Sequence, residues 1–186
     1  PAIWLLTDSR SGTRRDIVGL YNWDDKKELV IDRPLENIGV PGQTEYMAYE
    51  YWSNRLTGPF KGNLRQTLAP ATCAILSLKA VADHPQLVST SRHITQGFID
   101  VVTEKWDEKA GELSGVSKVV AGDNYELRII TGTTKGFARA ARADLSAKDL
   151  KAGVTASMKE ESGLLRVAIK SPAGRDVKWA VSFERK

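Results

Sequence analysis

Arg15-Asp-Ile-Val-Gly-Leu-Tyr-Asn-Trp23 places its side chains alternately on two faces of an extended chain. Ile17, Gly19 and Tyr21 share one face, while Val18 and Leu20 share the other. This alternation of apolar and β-branched residues with a period of two predicts a β-strand. The turn formers on either side, Asp8 to Gly12 before it and Asp24-Asp25 after it, predict antiparallel neighbours.

Similar apolar-rich, β-branched runs continue along the whole chain and are separated by Gly, Asn, Asp, Ser and Pro. We predict strands at residues 3–7, 15–23, 28–32, 44–52, 60–68, 72–79, 86–90, 97–105, 112–121, 124–131, 136–143, 153–160, 164–170 and 176–184. Residues 145–152 alone predict a helix, of one or two turns, with Ser146 as its cap.

This pattern predicts an all-β fold of antiparallel β-sandwiches, with two packed β subdomains. The boundary is expected near residues 79–85, because 8 of the 14 aromatic residues precede it and the lysine excess follows it. We therefore divide the chain into residues 1–83 and 84–186, each a β-sandwich. Since Pro1 is followed almost at once by a strand, we expect the chain to be a piece of a longer protein.

Charge and composition limit the classes of partner. The net charge is +4, with 10 basic and 10 acidic residues in 1–90 and 17 and 13 in 91–186, and no run of like charge. Nucleic-acid binders concentrate lysine and arginine on one surface, so we expect no nucleic-acid partner. No apolar run approaches the roughly 20 residues of a membrane span, so we expect a soluble chain. The single Cys73 excludes an internal disulfide.

Several segments of the first half resemble a known family. Trp4-Leu-Leu-Thr-Asp8 followed by Asp16-Ile-Val-Gly-Leu-Tyr-Asn-Trp-Asp-Asp25 is similar to the start of the C-terminal β domain of α-galactosidase-like glycoside hydrolases, family 36 and its relatives. Tyr49-Glu-Tyr-Trp52, Leu68-Ala-Pro70 and Pro85-Gln-Leu-Val-Ser-Thr-Ser-Arg-His-Ile-Thr-Gln-Gly97 extend the resemblance over residues 3 to 97.

The resemblance implies that catalysis lies elsewhere. Such hydrolases carry two catalytic aspartates on a (β/α)8 barrel that precedes this region, and the alternating strands and helices of a barrel are not seen here. The expected partner is therefore that upstream catalytic barrel of the same polypeptide. The parent protein is expected to be secreted or periplasmic, although the sequence leaves its localisation open.

Candidate catalytic and metal-binding groups are scattered. Glycosidases need two carboxyl groups facing one another, whereas Asp24-Asp25 and Glu160-Glu161 are chain neighbours, which point to opposite faces on a strand. His93 lies near Ser89, Ser91 and Asp100, but no nucleophile elbow accompanies it. Gly132-Thr-Thr-Lys-Gly136 lacks the spacing of a phosphate loop and predicts a hairpin connection. We predict no catalytic residue, no metal site and no cofactor in this chain.

Three tryptophans that end predicted strands are the candidate contacts for a sugar or for a docking surface: Trp23, Trp52 and Trp106. Their polar neighbours could accept hydrogen bonds from hydroxyl groups: Asp24, Asp25, Asn54 and Asp107. Trp4 and Trp179, flanked by apolar strand residues, are expected in the core. The sequence thus predicts a non-catalytic accessory β region of a carbohydrate-active enzyme that packs on the barrel. The alternative is a carbohydrate-binding module whose exposed aromatics bind an oligosaccharide.

Overall fold

The computed structural model describes residues 2–131 and 137–185. Its strands are antiparallel throughout and it has one short α-helix, which confirms the all-β prediction. The chain divides into two compact units, one of residues 2–8 and 15–81 and one of residues 9–14 and 82–185. The sequence places the boundary after residue 83, and this division falls after residue 81. The predicted hairpin connection at 132–136 lies outside the described residues.

The first unit contains a five-stranded and a two-stranded sheet, with strand orders β1-β2-β7-β4-β5 and β3-β6. A 3₁₀-helix, Leu35–Ile38, follows β3. The strands are β1 (Ile3–Asp8), β2 (Arg15–Tyr21), β3 (Leu29–Pro34), β4 (Glu45–Glu50), β5 (Arg55–Lys61), β6 (Asn63–Leu68) and β7 (Cys73–Ala80).

The core of the first unit lies between these two sheets. Val18 of β2 pairs in register with Leu76 of β7, and both side chains are buried. Ile31 of β3 and Leu64 of β6 belong to the same cluster, so the two-stranded sheet covers one face of the larger sheet. The apolar residues at alternate positions of each strand create this cluster by turning to the same side.

The second unit contains two four-stranded sheets, with strand orders β12-β15-β10-β9 and β13-β14-β11-β8. Helix α1 (Ala147–Lys151) connects β12 to β13, and the hydroxyl of its cap Ser146 accepts a hydrogen bond from the Asp149 amide, as predicted. The strands are β8 (Gln86–Thr90), β9 (Val101–Asp107), β10 (Glu112–Val119), β11 (Tyr125–Ile130), β12 (Phe137–Leu145), β13 (Thr155–Glu161), β14 (Leu164–Lys170) and β15 (Arg175–Arg185).

Trp179 lies in the core of the second unit, as predicted. Its ring rests on Gly115 of the neighbouring strand, where a Cβ atom would come within 2.5 Å of the indole. Its Nε1 donates a hydrogen bond to the Ser117 hydroxyl at 2.9 Å. Trp4, by contrast, is 56% exposed, so the prediction of a core position for Trp4 is wrong.

Two strand predictions are also corrected. Residues 60–68 are not one strand, because Gly62, with φ +80°, turns the chain between β5 and β6. Strand β9 begins at Val101 rather than at residue 97, because the preceding segment forms turns. Gly97, the first residue of the predicted strand, has a φ of +103°, which lies outside the range of a β-strand.

Candidate functional site

Trp4, Tyr21 and Trp23 form a continuous aromatic row on the surface of the first unit. Trp4 meets the Tyr21 ring edge-on, at 6.5 Å between centroids, and Trp23 stacks on Tyr21 at 5.3 Å with the two planes 8° apart. Trp23 is 72% exposed. Gly19, which pairs with Trp4 in register, makes room for the Tyr21 ring, since a Cβ there would lie 3.0 Å from that ring.

The loop that presents Trp23 is fixed by the buried side chain of Asn22. Its Nδ2 donates hydrogen bonds to the carbonyl oxygens of Leu68 at 3.2 Å, Ala69 at 2.9 Å and Lys27 at 2.8 Å. Its Oδ1 accepts one from the Asp24 amide at 3.1 Å. These hydrogen bonds attach the loop after β2 to the loop between β6 and β7. They thereby fix the backbone next to Trp23.

A groove of about 350 Å³ runs beside Trp23. Its walls are mainly apolar atoms of Tyr21, Trp23, Ala71, Thr72 and Cys73. The Thr72 hydroxyl already donates to the Ala69 carbonyl at 2.8 Å. The groove therefore favours a ligand or partner with an apolar face rather than one held by many hydrogen bonds.

Trp52 leaves the same end of the five-stranded sheet as Trp23. Strands β2 and β4 both pair antiparallel to β7, and their last residues lie opposite the start of β7 near Cys73 and Ile75. Trp52 is 52% exposed and meets the Tyr51 ring edge-on at 5.0 Å. Of the three predicted tryptophans, the structure therefore brings Trp23 and Trp52 to one end of one unit.

Trp106 belongs to the second unit and has a different environment. Its ring stacks on His84 at 5.1 Å with an interplanar angle of 7°, and it packs against the core of that unit. Its Nε1 donates to Glu108 at 2.7 Å. The ring and the polar atom of Trp106 thus both have partners within the second unit.

The predicted polar contacts mostly serve local turns. Asp24 accepts hydrogen bonds from the amides of Lys26 at 2.8 Å and Lys27 at 2.9 Å, and Asp107 accepts two at 3.0 Å in the turn between β9 and β10. Asn54, with φ +57°, accepts a hydrogen bond from the Tyr49 hydroxyl. Asp25 is exposed in the turn beside Asp24. These are the roles that short polar side chains commonly have in turns.

Glu50, which the sequence did not single out, is a nearly buried carboxylate at the end of β4. It accepts hydrogen bonds from the backbone amides of Trp52 at 3.1 Å, Ser53 at 2.5 Å and Ile75 at 3.2 Å. Burial raises the pKa of Glu50, but the hydrogen bonds from Ser53, Trp52 and Ile75 outweigh it and lower the pKa below its ordinary value. The carboxylate is therefore charged at neutral pH. It lines a second concavity of about 250 Å³.

Asp100 is not part of a catalytic triad with His93. Its carboxylate is buried and accepts hydrogen bonds from the hydroxyls of Thr90 at 2.8 Å and Tyr125 at 2.7 Å, and from the Gly97 amide at 3.1 Å. Burial, followed by the Asp100 charge, raises the pKa of Tyr125 far above its ordinary value. These hydroxyl and amide donors bind the buried Asp100 carboxyl group inside the second unit.

Within residues 2–131 and 137–185, no three histidine, cysteine, aspartate or glutamate side chains are grouped as a metal ion would require. Over the same residues, none of the helices has both the length and the apolar character of a membrane span. The chain matches no model of a known protein family, and no curated protein matches it. The resemblance to α-galactosidase-like hydrolases therefore remains a prediction from the residues quoted above.

Proposed function

We propose that this chain is a non-catalytic accessory β region of a glycoside hydrolase, and that the aromatic row docks on the catalytic barrel of the same polypeptide. The observation that carries the proposal is the surface row of Trp4, Tyr21 and Trp23, in which Trp23 lies on a loop fixed by Asn22. Large apolar rings exposed together mark an interaction surface, and tryptophan and tyrosine are enriched in such surfaces. The sequence resemblance supplies the class of partner.

The arrangement of the carboxylates supports a non-catalytic role. Glycoside hydrolysis needs an acid and a nucleophile or base on either side of the scissile bond, about 5 to 9.5 Å apart. Asp24 and Asp107 bind backbone amides in turns, while Asp100 is sealed in a buried network. Each of these carboxylates has a structural partner that a catalytic carboxylate would have to give up.

A binding assay tests the docking role. The region encoded immediately upstream would be produced separately and its association with this chain measured by calorimetry. The double variant Trp4→Ser, Trp23→Ser is expected to weaken association by about tenfold or more, since buried aromatic anchors each contribute roughly 1–3 kcal/mol at interfaces. Trp52→Ser is the matched control, because Trp52 is also more than half exposed but lies outside the row. Equal association of both variants would refute docking through the row.

An activity assay tests the non-catalytic part of the proposal. The chain alone is expected to release no nitrophenol from nitrophenyl α- and β-galactosides above the rate of buffer. Turnover that survives repurification and follows the chain through a sizing column would contradict it.

Carbohydrate binding is the second candidate, and the geometry of Trp23 favours it specifically. One face of the indole stacks on Tyr21, and the side chain as a whole is 72% exposed. A flat ring held from behind is the surface on which the C–H face of a sugar packs. Titration of tryptophan fluorescence with galactosides is expected to saturate in the wild type and in Trp52→Ala. It should fail in Trp23→Ala, and an unaltered curve in that variant would exclude this site.

A further inference from the structure

The second concavity, which we name the end pocket, arises where polar residues occupy core-facing positions. In the register of β4 and β5, Ala48 pairs with Thr57 and Glu50 pairs with Arg55. Ala48 belongs to the core cluster, so the other side chains of that register face the same side. On the facing strand, Gln66 lies between the buried Leu64 and Leu68 and shares their side. The core therefore stops here, and an open space of about 250 Å³ takes its place.

The end pocket is lined by two charged side chains, Glu50, which has hydrogen-bond partners in the protein, and Arg55. The Glu50 carboxylate is occupied by the amides of Trp52, Ser53 and Ile75. The guanidinium of Arg55 lines the same space, and the contacts found over the described residues give it no ion pair or hydrogen bond. A guanidinium carries five N–H donors in a rigid plane. The pocket thus offers donors from Arg55 next to a fixed negative charge.

The rest of the lining adds neutral hydrogen-bonding groups. Gln66 is half-buried and its amide makes only a 3.3 Å contact with the Thr67 carbonyl. The Thr57 hydroxyl makes a 3.4 Å contact with the Ala48 carbonyl. Both are at the long end of hydrogen-bond geometry, so either group is able to turn to a ligand at small cost.

We propose that the end pocket binds one neutral pyranose unit of an oligosaccharide. The mixture of donors and acceptors suits vicinal hydroxyl groups, and opposite charges in one pocket give neither an anion nor a cation an advantage. The volume is below the roughly 300 Å³ at which pockets for drug-sized ligands begin, which selects a single ring. The sugar hydroxyl groups would accept hydrogen bonds from Arg55. They would both donate hydrogen bonds to Gln66 and Thr57 and accept hydrogen bonds from them.

The end pocket adjoins the groove of Trp23, because Thr72 and Cys73 line both. One sugar unit in the pocket therefore places the next unit of a chain toward the groove beside Trp23. This part of the inference rests on the carbohydrate-binding candidate of the proposed function. The two places have different chemistry: hydrogen bonds in the pocket and ring stacking at Trp23.

Nuclear magnetic resonance titration of the full chain tests the inference. Methyl glycosides of galactose, glucose and mannose are the neutral probes, and galacturonate is the charged comparator. At least one neutral probe is expected to shift the side-chain signals of Arg55 and Gln66. Arg55→Met, which keeps the length of the side chain, should weaken binding by about tenfold or more, because a hydrogen bond from a charged donor is lost. Arg65→Met, on the exposed face of β6, is the matched control and should change affinity less than twofold.

Each other outcome has a defined meaning. Equal binding by Arg55→Met and the wild type, with loss in Trp23→Ala, overturns the end pocket and leaves stacking at Trp23. Tighter binding of galacturonate than of every neutral probe overturns the assignment of a neutral ligand. Absence of binding by all probes overturns both the pocket and the carbohydrate-binding candidate. The docking proposal is then still judged separately, by the association assay with the upstream region. Thermal unfolding of each variant confirms that it is folded.

Discussion

The first unit leaves its tryptophans in solvent, whereas the second unit buries Trp179 in its core. Trp4, Trp23 and Trp52 are each more than half exposed, while Tyr125 and Trp179 are almost completely buried. A buried ring stabilises the fold that surrounds it, but an exposed ring contributes little to folding. The exposed tryptophans of the first unit therefore add little to its stability, which is why we propose them as a binding surface, whereas Trp179 and Tyr125 stabilise the core of the second unit.

The buried carboxylates of the two units also differ in how closely the protein surrounds them. Glu50 of the first unit lines an open pocket. Asp149 of the second unit is sealed by an ion pair with Arg175 at 3.0 Å, by the Ser146 hydroxyl at 2.5 Å and by the Lys178 amide at 3.0 Å. Both carboxylates are bound by protein groups, but Glu50 borders an open space and Asp149 does not. Four substitutions test this contrast.

The largest effect is expected for Trp179→Ala. Removing the indole creates a cavity over Gly115 and leaves the Ser117 hydroxyl without its donor. Loss of a buried aromatic side chain commonly costs about 3–5 kcal/mol of unfolding free energy. Urea unfolding followed by circular dichroism measures it. A loss under about 1 kcal/mol would mean that the second unit does not depend on this ring.

Asp149→Ala is expected to cost about 3 kcal/mol, because it leaves Arg175 partly buried and uncompensated. The matched control is Asp144→Ala, which breaks an ion pair with Arg142 whose side chains are 46% and 70% exposed. Exposed pairs contribute about 1 kcal/mol or less. The same urea experiment compares them, and equal losses would show that the burial of Asp149 has no energetic consequence.

Glu50→Gln is expected to cost about 1–2 kcal/mol at neutral pH, since the amide cannot replace the charge-assisted hydrogen bonds. The folded pKa of Glu50 lies below its ordinary value of 4.5, so its contribution is complete above pH 4.5. It is lost as the pH falls through the lowered pKa. The difference in unfolding free energy between wild type and variant should therefore shrink below pH 4.5. A difference that stays constant down to pH 2 would contradict the charged role.

The smallest effect on stability is expected for Trp23→Ala. Because the side chain is 72% exposed and its stacking on Tyr21 lies at the surface, the unfolding free energy should change by less than about 1 kcal/mol. The comparison with Trp179→Ala is the sharpest contrast between the units. A loss of 3 kcal/mol would make Trp23 a structural residue and weaken the case for a binding surface.

The sequence predicted most strands because alternation is a local signal, and the predicted ranges of β8 and β14 agree with the structure at both ends. Strand β5 was partly missed because Gly58 and Pro59 indicate a turn. That strand lies at the edge of its sheet, where a proline without an N–H group is tolerated. In β5, the long-range pairing with the neighbouring strand outweighed the local turn signal of Gly58 and Pro59.

Prediction of the candidate site from the sequence is limited in the same way, because local patterns do not show long-range contacts. Trp23 was found from the sequence because it ends a strand beside turn formers. Trp4 was placed wrongly because Ile3 and Leu5 alternate with Trp4 and Leu6, and both sets are apolar, so alternation does not say which set faces the core. The end pocket was missed because Glu50 meets the amide of Ile75, 25 residues further along the chain.

Strand β1 has a practical consequence for anyone handling this protein. It lies at the edge of the five-stranded sheet and shows Trp4 and Leu6 to solvent, whereas the edge strand β13 shows Lys159, Glu160 and Glu161. Charged edges resist the addition of a foreign strand, and apolar edges invite it. We therefore expect concentrated preparations to self-associate through residues 3–8, and we expect Leu6→Lys to reduce that association.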